Sequence, residues 1–367
     1  MSNEARPDPT QRYVVTGHYE PPPAPQRPPQ TPPTRGRRRV PRAVWVSLIV
    51  LAALTPLVVI AIVVSQVWNG FQMATAQPPG VGTVIVAPEE SKAARAAGSE
   101  AAGSTPDQIA AAEYLAAQPT AYWLTPEQDP IGDVGPRILN LAREAREADA
   151  SLAVVVYGLP ERDCGNHSAG GLDGDGYETW TTEIGEALRS APDVQKIVIV
   201  EPDSLALAPE CGNVSERVEQ LRAAIGRITA PDTWIYVDGG HSNWLAIDTM
   251  ADLIRQVDTG DIRGFVTNVS NFNHTSEEFD YARALSTRVG GLHAIVDTSR
   301  NGAGSNGDWC NPQGRLVGDA GGTYGDEIVD TNLWVKPPGE SDGPCNGGPA
   351  AGVWWPQGAA ELTRDAR

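Results

Sequence analysis

The chain has 367 residues, with 28 Lys and Arg against 46 Asp and Glu, giving a formal charge of −18. That length allows one or two domains, and that acidity excludes nucleic acid as a natural partner. The charge is uneven: residues 1–42 hold eight Arg and three acidic residues, about +5, so the rest carries about −23.

Residues 1–42 come first. "PPPAPQRPPQTPP" offers no apolar set for a core and reads as a disordered or polyproline II arm. Residues 43–67 follow, with no charged residue between Arg42 and Glu89. The apolar run from Ala43 to Val64, about 22 residues, is long enough to cross a bilayer core of roughly 30 Å. Pro56 is tolerated in such a helix. The cluster "RGRRRVPR" on its N-terminal side predicts a cytoplasmic N-terminus and an extracellular C-terminal part. The rival reading is a cleaved signal, because "MATAQ" places Ala74 and Ala76 at small-residue cleavage positions before Gln77. The leader and the apolar stretch are both long for one. Residues 68–112, rich in Ala, Gly, Ser and Glu, are expected to be a flexible linker, and 113–367 the folded domain.

That domain is about 255 residues long, the usual size of one α/β barrel. Continuous apolar runs predict strands at 152–157, 196–201, 233–238, 263–267, 293–297 and 333–336, as in a parallel sheet covered on both faces. Helical stripes lie between them. One joins Val214, Val218, Leu221, Ile225 and Ile228, with Asn213 and Glu216 spaced as a capping box. Another joins Ile247, Met250, Ile254 and Val257. Such alternation fits either a closed barrel or an open doubly wound sheet. No GxGxxG and no phosphate loop accompany it, which weighs against nucleotide binding.

Each predicted strand runs into polar, turn-forming residues: "GLPERDC", "EPDSL", "DGGHSNW", "NVSNF", "DTSRNG" and "PPGESDG". A single Asp in such a place is a turn or cap residue. Six such ends together predict the rim of a site, because barrels assemble their chemistry at the C-terminal ends of strands. Carboxylates dominate the set: Asp163, Asp203, Asp238, Asp297, Glu340 and Asp342. His241 is the one candidate base, and no Ser-His-Asp set stands at the strand ends. Trp123, Trp244, Trp309, Trp354 and Trp355 lie in polar loops, where indole faces suit sugar rings. Paired carboxylates with loop tryptophans point to glycoside hydrolysis, which needs one carboxyl to protonate the leaving oxygen and a second to activate water or attack. The four cysteines all follow the apolar run, and none has CxxC spacing. Two disulfides are expected, in one of three pairings, of which Cys164–Cys211 with Cys310–Cys345 closes the shortest loops.

The segments "VVVYGLPERDCGNHSAGG", "VIVEPDSLALAP", "IYVDGGHSNWL", "GFVTNVSNF", "DTSRNG", "GDWCNPQGR" and "LWVKPPGESDGPCNGGPAAGVWWPQGA" occur in register. Together they resemble glycoside hydrolase family 6, the cellulases that include endo-β-1,4-glucanases and cellobiohydrolases. The resemblance covers about 115–364. It implies a distorted, incomplete α/β barrel of seven parallel strands and inversion at the anomeric carbon. Asp203 falls on the family's proton donor. Asp163, with Tyr157 and Arg162, falls on the group that keeps the donor protonated and organises water. Asp342 falls on the proposed base, in competition with a water chain ending at Asp163. Lys336 and Glu340 fall on sugar-binding positions, Trp123, Trp244 and Trp309 on stacking platforms, and Asp238, His241, Asn268 and Asn271 on polar cleft contacts. The resemblance also implies the Cys164–Cys211 and Cys310–Cys345 pairing.

One departure is visible. Ala169 and Gly170 stand where many members carry Ser-Asn, and Ser168 is one residue early. Short connections from Asn301 to Trp309 and from Asp342 to Trp354 suggest an open cleft and endo action. Exo action, or a non-catalytic glycan-binding protein, are the alternatives. No cofactor or metal is expected. The expected partners are a β-1,4-glucan or cello-oligosaccharide and the bilayer, with the chain acting as a monomer.

Overall fold

The computed structural model describes residues 76–98 and 103–367, together with Thr55, Val59, Ile60 and Val64. The expected tail, 1–42, lies outside the described residues, and so does the expected span, 43–67, apart from those four positions, which are helical. Among the described residues no helix is long and apolar enough to cross a membrane.

Seven strands form one parallel sheet in chain order: β1 (Tyr122–Leu124), β2 (Leu152–Val156), β3 (Lys196–Val200), β4 (Thr233–Asp238), β5 (Gly264–Thr267), β6 (His293–Asp297) and β7 (Val329–Leu333). Helices Val134–Glu147, Gly174–Arg189, Val214–Ile228, Ile247–Val257 and Thr275–Arg288 connect them. The sheet curls until its edges nearly meet. Ala121, just before β1, donates its N–H to the Trp334 carbonyl just past β7 at 2.9 Å. No β1–β7 ladder forms among the described residues, so the barrel is incomplete.

Strand periodicity explains the long apolar runs. Val154, Val156, Val198, Val200 and Val237 face the helices, while Ala153, Val155, Ile197, Ile199 and Tyr236 fill the interior of the curl. Both faces are buried, so both parities of each strand are apolar. The floor of the curl is polar. Asp330 accepts from the Tyr236 hydroxyl at 2.6 Å and from the Arg263 guanidinium at 2.8 and 3.0 Å.

Three expectations change. The last strand lies at Val329–Leu333 and not at 333–336. Asp330, Thr331 and Asn332 hide it in sequence, but Asp330 is ion-paired, and the Asn332 amide donates to Thr298 Oγ1 and the Ala320 carbonyl. The capping box at Asn213 does not form; no side chain caps that helix. The described residues of the stretch expected as linker are built into the body. Val86 donates to Ser151 and Ser151 to Val84, both at 2.9 Å, which buries Ile85. Helices Lys92–Ala97 and Pro106–Ala116 bury Ala93, Ala96, Ala111, Ala112 and Leu115, packing on Trp334 and on Ala359 of helix Pro356–Leu362. The body therefore begins well before residue 113.

Candidate active site

At the end of β3 the chain enters "EPDS". Glu201 and Asp203 both take left-handed φ, +49° and +68°, a conformation that costs a non-glycine residue about 1–3 kcal/mol and clusters at functional sites. The bend makes Asp203 the residue ahead of helix Ser204–Cys211, yet its side chain caps nothing there. The two carboxylates divide their work. Glu201 is fully buried and accepts the Gly158 N–H and the Tyr177 hydroxyl, both at 2.9 Å, so it braces β3 against the turn after β2. Burial pushes its carboxyl up to about 7. Asp203 is the one left open toward other charged groups.

Burial holds the Asp203 carboxyl well above the usual carboxylate range, and the charges of Asp238, Asp163 and Asp342 push the same way against Lys336. The foremost charged neighbour is thus Asp238 at the end of β4, which the sequence placed only among sugar contacts. Asp238 accepts the N–H of Asp203 at 3.1 Å and that of Gly240 at 3.2 Å. Burial raises Asp238 to about 7, and these two bonds oppose the rise. Among the described residues no hydrogen-bond donor reaches the Asp203 carboxyl. A charge shared by this pair therefore settles on Asp238, and the proton stays on Asp203.

The turn after β2 brings Asp163 to the same place. Arg162 donates to the Tyr157 carbonyl and the Ser168 carbonyl, each at 2.9 Å, pairs with Glu127 at 2.9 Å, and lies 4.7 Å from the Tyr157 ring centre. The Ser168 N–H donates to Asp163 Oδ2 at 3.2 Å. Ser168, one residue early in sequence, is thus folded back onto Asp163. The Cys164–Cys211 disulfide ties this turn to the helix that starts after Asp203.

On the opposite side Asp342 is clamped. Arg300 Nη1 lies 2.9 and 3.0 Å from its two oxygens, and the Asn311 N–H donates to Oδ2 at 3.0 Å. Both side chains of the ion pair are buried. The Cys310–Cys345 disulfide staples the two loops involved. Lys336 is buried, with Nζ 5.2 Å from the Trp123 ring centre. Burial lowers its pKa, and Asp342 and Glu340 oppose that. Asp297 is structural. Its carboxylate accepts the backbone N–H of Ser270, Ser299, Val335 and Lys336, joining the ends of β5, β6 and β7. Glu340 pairs with Lys92 at 3.0 Å.

Of the expected aromatic platforms, Trp123 and Trp244 are half-buried and Trp309 is 56% exposed. Trp123 meets Tyr157 edge-on at 5.0 Å, Trp244 lies 5.5 Å from His241, and Trp309 5.6 Å from His167. His167 also rests on Gly343, where a Cβ would sit 2.7 Å from its ring. His241 is an uncharged imidazole at neutral pH, since burial pushes it down to about 4. The Asn243 N–H donates to its Nδ1 at 3.2 Å, so Nε2 carries the hydrogen. Asn268 departs from the expected sugar contact. It is buried, and its amide donates to the carbonyls of Asp297 and Asn273. Asn271 is half-buried and donates to Val269. Sequence reading missed Glu201, Arg300 and Asn311 as organisers of the site. Their signal was their place in the strand-end phrases and beside Cys310.

The fold and cleft define a class: a curled parallel α/β barrel with a rim of carboxylates and tryptophans. The glycosyl hydrolases family 6 model matches residues 81–366, and the chain belongs to that family. Endoglucanase A of Cellulomonas fimi is 40% identical over 256 residues, 70% of this chain and 56% of that protein. The chain thus spans little more than half of the first curated relatives it matches. Among solved structures, the endoglucanase Cel6 from Mycobacterium tuberculosis, in complex with methyl-cellobiosyl-4-deoxy-4-thio-β-D-cellobioside, superposes with a TM-score of 0.72 at 37% identity, covering 79% of this chain and 99% of that one. The catalytic core of the cellobiohydrolase Cel6A from Chaetomium thermophilum gives 0.68 at 26%, covering 77% and 98%.

Proposed function

We propose that this chain hydrolyses β-1,4-glucosidic bonds in cellulose or a related glucan, acting within the chain and inverting the anomeric carbon. The observation that carries the reading is the carboxyl of Asp203, kept protonated by burial and by Asp238 and Asp163. In this reading Asp203 gives its proton to the leaving glycosidic oxygen. Asp163 receives the proton of the attacking water. Asp342 is held by Arg300 at both oxygens and by the Asn311 N–H at one. Its role is to fix the geometry and balance the charge of Arg300. Lys336, Glu340 and the neutral His241 bind hydroxyls, and the indoles of Trp123, Trp244 and Trp309 stack on pyranose faces.

Endo action is supported by the short loops 301–309 and 342–354 and by the likeness to Endoglucanase A of Cellulomonas fimi. Substrate is supported by the cellobioside-type ligand of the M. tuberculosis protein. The test is a product profile on soluble β-1,4-glucans with anomeric NMR. Internal cleavage with an initial α-anomer is expected; release of cellobiose alone, or of the β-anomer, contradicts it.

We also propose that residues 43–67 anchor the protein in the membrane, with the N-terminus cytoplasmic and the body outside. Recovery of the intact chain in the membrane fraction is expected, and an extracellular product beginning at Gln77 counts against it.

A further inference from the structure

Lys92 opens helix Lys92–Ala97, in a stretch whose composition reads as linker. Its Nζ lies 3.0 Å from Glu340 Oε2, across 248 positions of sequence. Its position is set by packing. Ser91 caps the helix by accepting the Ala94 N–H at 3.1 Å, and Ala93 is buried against Ala111, Leu115, Trp334 and Ala359. The Glu340 side chain is 10% exposed and that of Lys92 26%. The pair is partly shielded from water, where charge-assisted hydrogen bonds are stronger.

This ion pair borders a small open pocket walled also by Trp123, Gln128, Pro337 and Trp354. Trp123 lines this pocket and also touches residues of the cleft. One edge of its ring system meets Tyr157, and Lys336 lies above it. Its indole N–H is spent on the Val335 carbonyl at 2.8 Å, which fixes the ring. Two indoles give apolar surface for the C–H face of a pyranose, while the ion pair gives directional partners for hydroxyls. Glu340 alone would be a buried-side carboxylate free to rotate. Lys92 orients it.

We propose that Lys92 is a positioning residue that holds Glu340 for sugar hydroxyls. The segment before residue 113 is then part of the substrate-binding surface. The proposal rests on the glucan-hydrolase reading above.

The experiment uses the full chain with cellohexaose. Binding is measured by calorimetry in the Asp203→Asn protein with and without Lys92→Met, and turnover is measured for Lys92→Met and Lys92→Arg alone. Lys92→Met is expected to weaken binding about tenfold, the loss of about 1.4 kcal/mol. KM should rise similarly, while kcat stays within about twofold and the Arg variant recovers most of the loss. Melting temperatures are recorded for every variant. Unchanged affinity and KM in Lys92→Met overturns the positioning role, while hydrolysis by the parent chain leaves the wider reading intact. A lowered melting temperature and kcat with unchanged KM also overturns it and makes the pair a strut. No cellohexaose binding by Asp203→Asn and no cleavage by the parent chain removes both proposals.

Discussion

The two walls of the cleft treat the same side chain in opposite ways. At the end of β3, Asp203 sits among Asp238 and Asp163, with no donor reaching its carboxyl among the described residues. Across from it, Asp342 is gripped by a guanidinium and a backbone N–H. The first environment favours a neutral acid at Asp203, and the second holds Asp342 in an ion pair. Residue type alone predicts neither arrangement; the partners decide.

The largest expected effect breaks the first wall. Asp203→Asn keeps the shape and loses the proton, so kcat should fall by about 10²–10⁴, the usual worth of a positioned acid. Steady-state turnover, with circular dichroism to show an intact fold, checks it. The second wall is broken by Arg300→Met. Asp342 is then buried and unpaired, which should cost about 3–5 kcal/mol of stability. Urea unfolding reads this, and the double variant with Asp342→Asn should recover much of the loss.

A third prediction concerns Glu201, the brace beneath Asp203. The fold keeps its proton up to about 7, against 4.5 ordinarily. Its stabilising contribution is therefore complete below about 4.5 and is lost as pH rises through 7, because the folded state binds more protons there. Unfolding free energy should fall between pH 5 and 8, and Glu201→Gln should flatten that slope; equal slopes in both proteins contradict the assignment. The smallest effect sharpens the comparison. Asp238→Asn removes the foremost charged neighbour of Asp203, so the acid ionises more readily. The alkaline limb of kcat/KM should move to lower pH. A limb that moves up or stays put shows that Asp238 does not govern the proton.

Much of this was legible in sequence where chemistry is local. Strands β2 to β6 announce themselves because both faces are buried and both parities are apolar. Asp163, Asp203 and Asp342 stand in strand-end phrases, which place them on the rim of the cleft. What failed to show depends on distant partners. The polar β7 became a strand only because Arg263, Tyr236 and Thr298 satisfy Asp330 and Asn332. Alanine-rich helices near residues 92–116 have no bulky stripe, yet small side chains let them pack closely. Asn268 looked like a sugar contact, and only the fold reveals that backbone carbonyls consume its amide. Arg300 and Asp342 lie 42 positions apart, and nothing in either neighbourhood foretells their pairing.

The placement of the two disulfides has a consequence in time. Cys164 follows Asp163 directly, and Cys211 ends the helix that begins after Asp203, so one bond spans both members of the acid wall. Cys310 and Cys345 do the same for the loops of Trp309 and Asp342. Such bonds persist in oxidising compartments and not in the cytosol. With the proposed export, the site would be completed late, and newly made, reduced protein is expected to show weak glucan hydrolysis. Activity recovered on air oxidation of cytosolically produced, reduced protein would show this maturation directly; equal activity before and after would remove it.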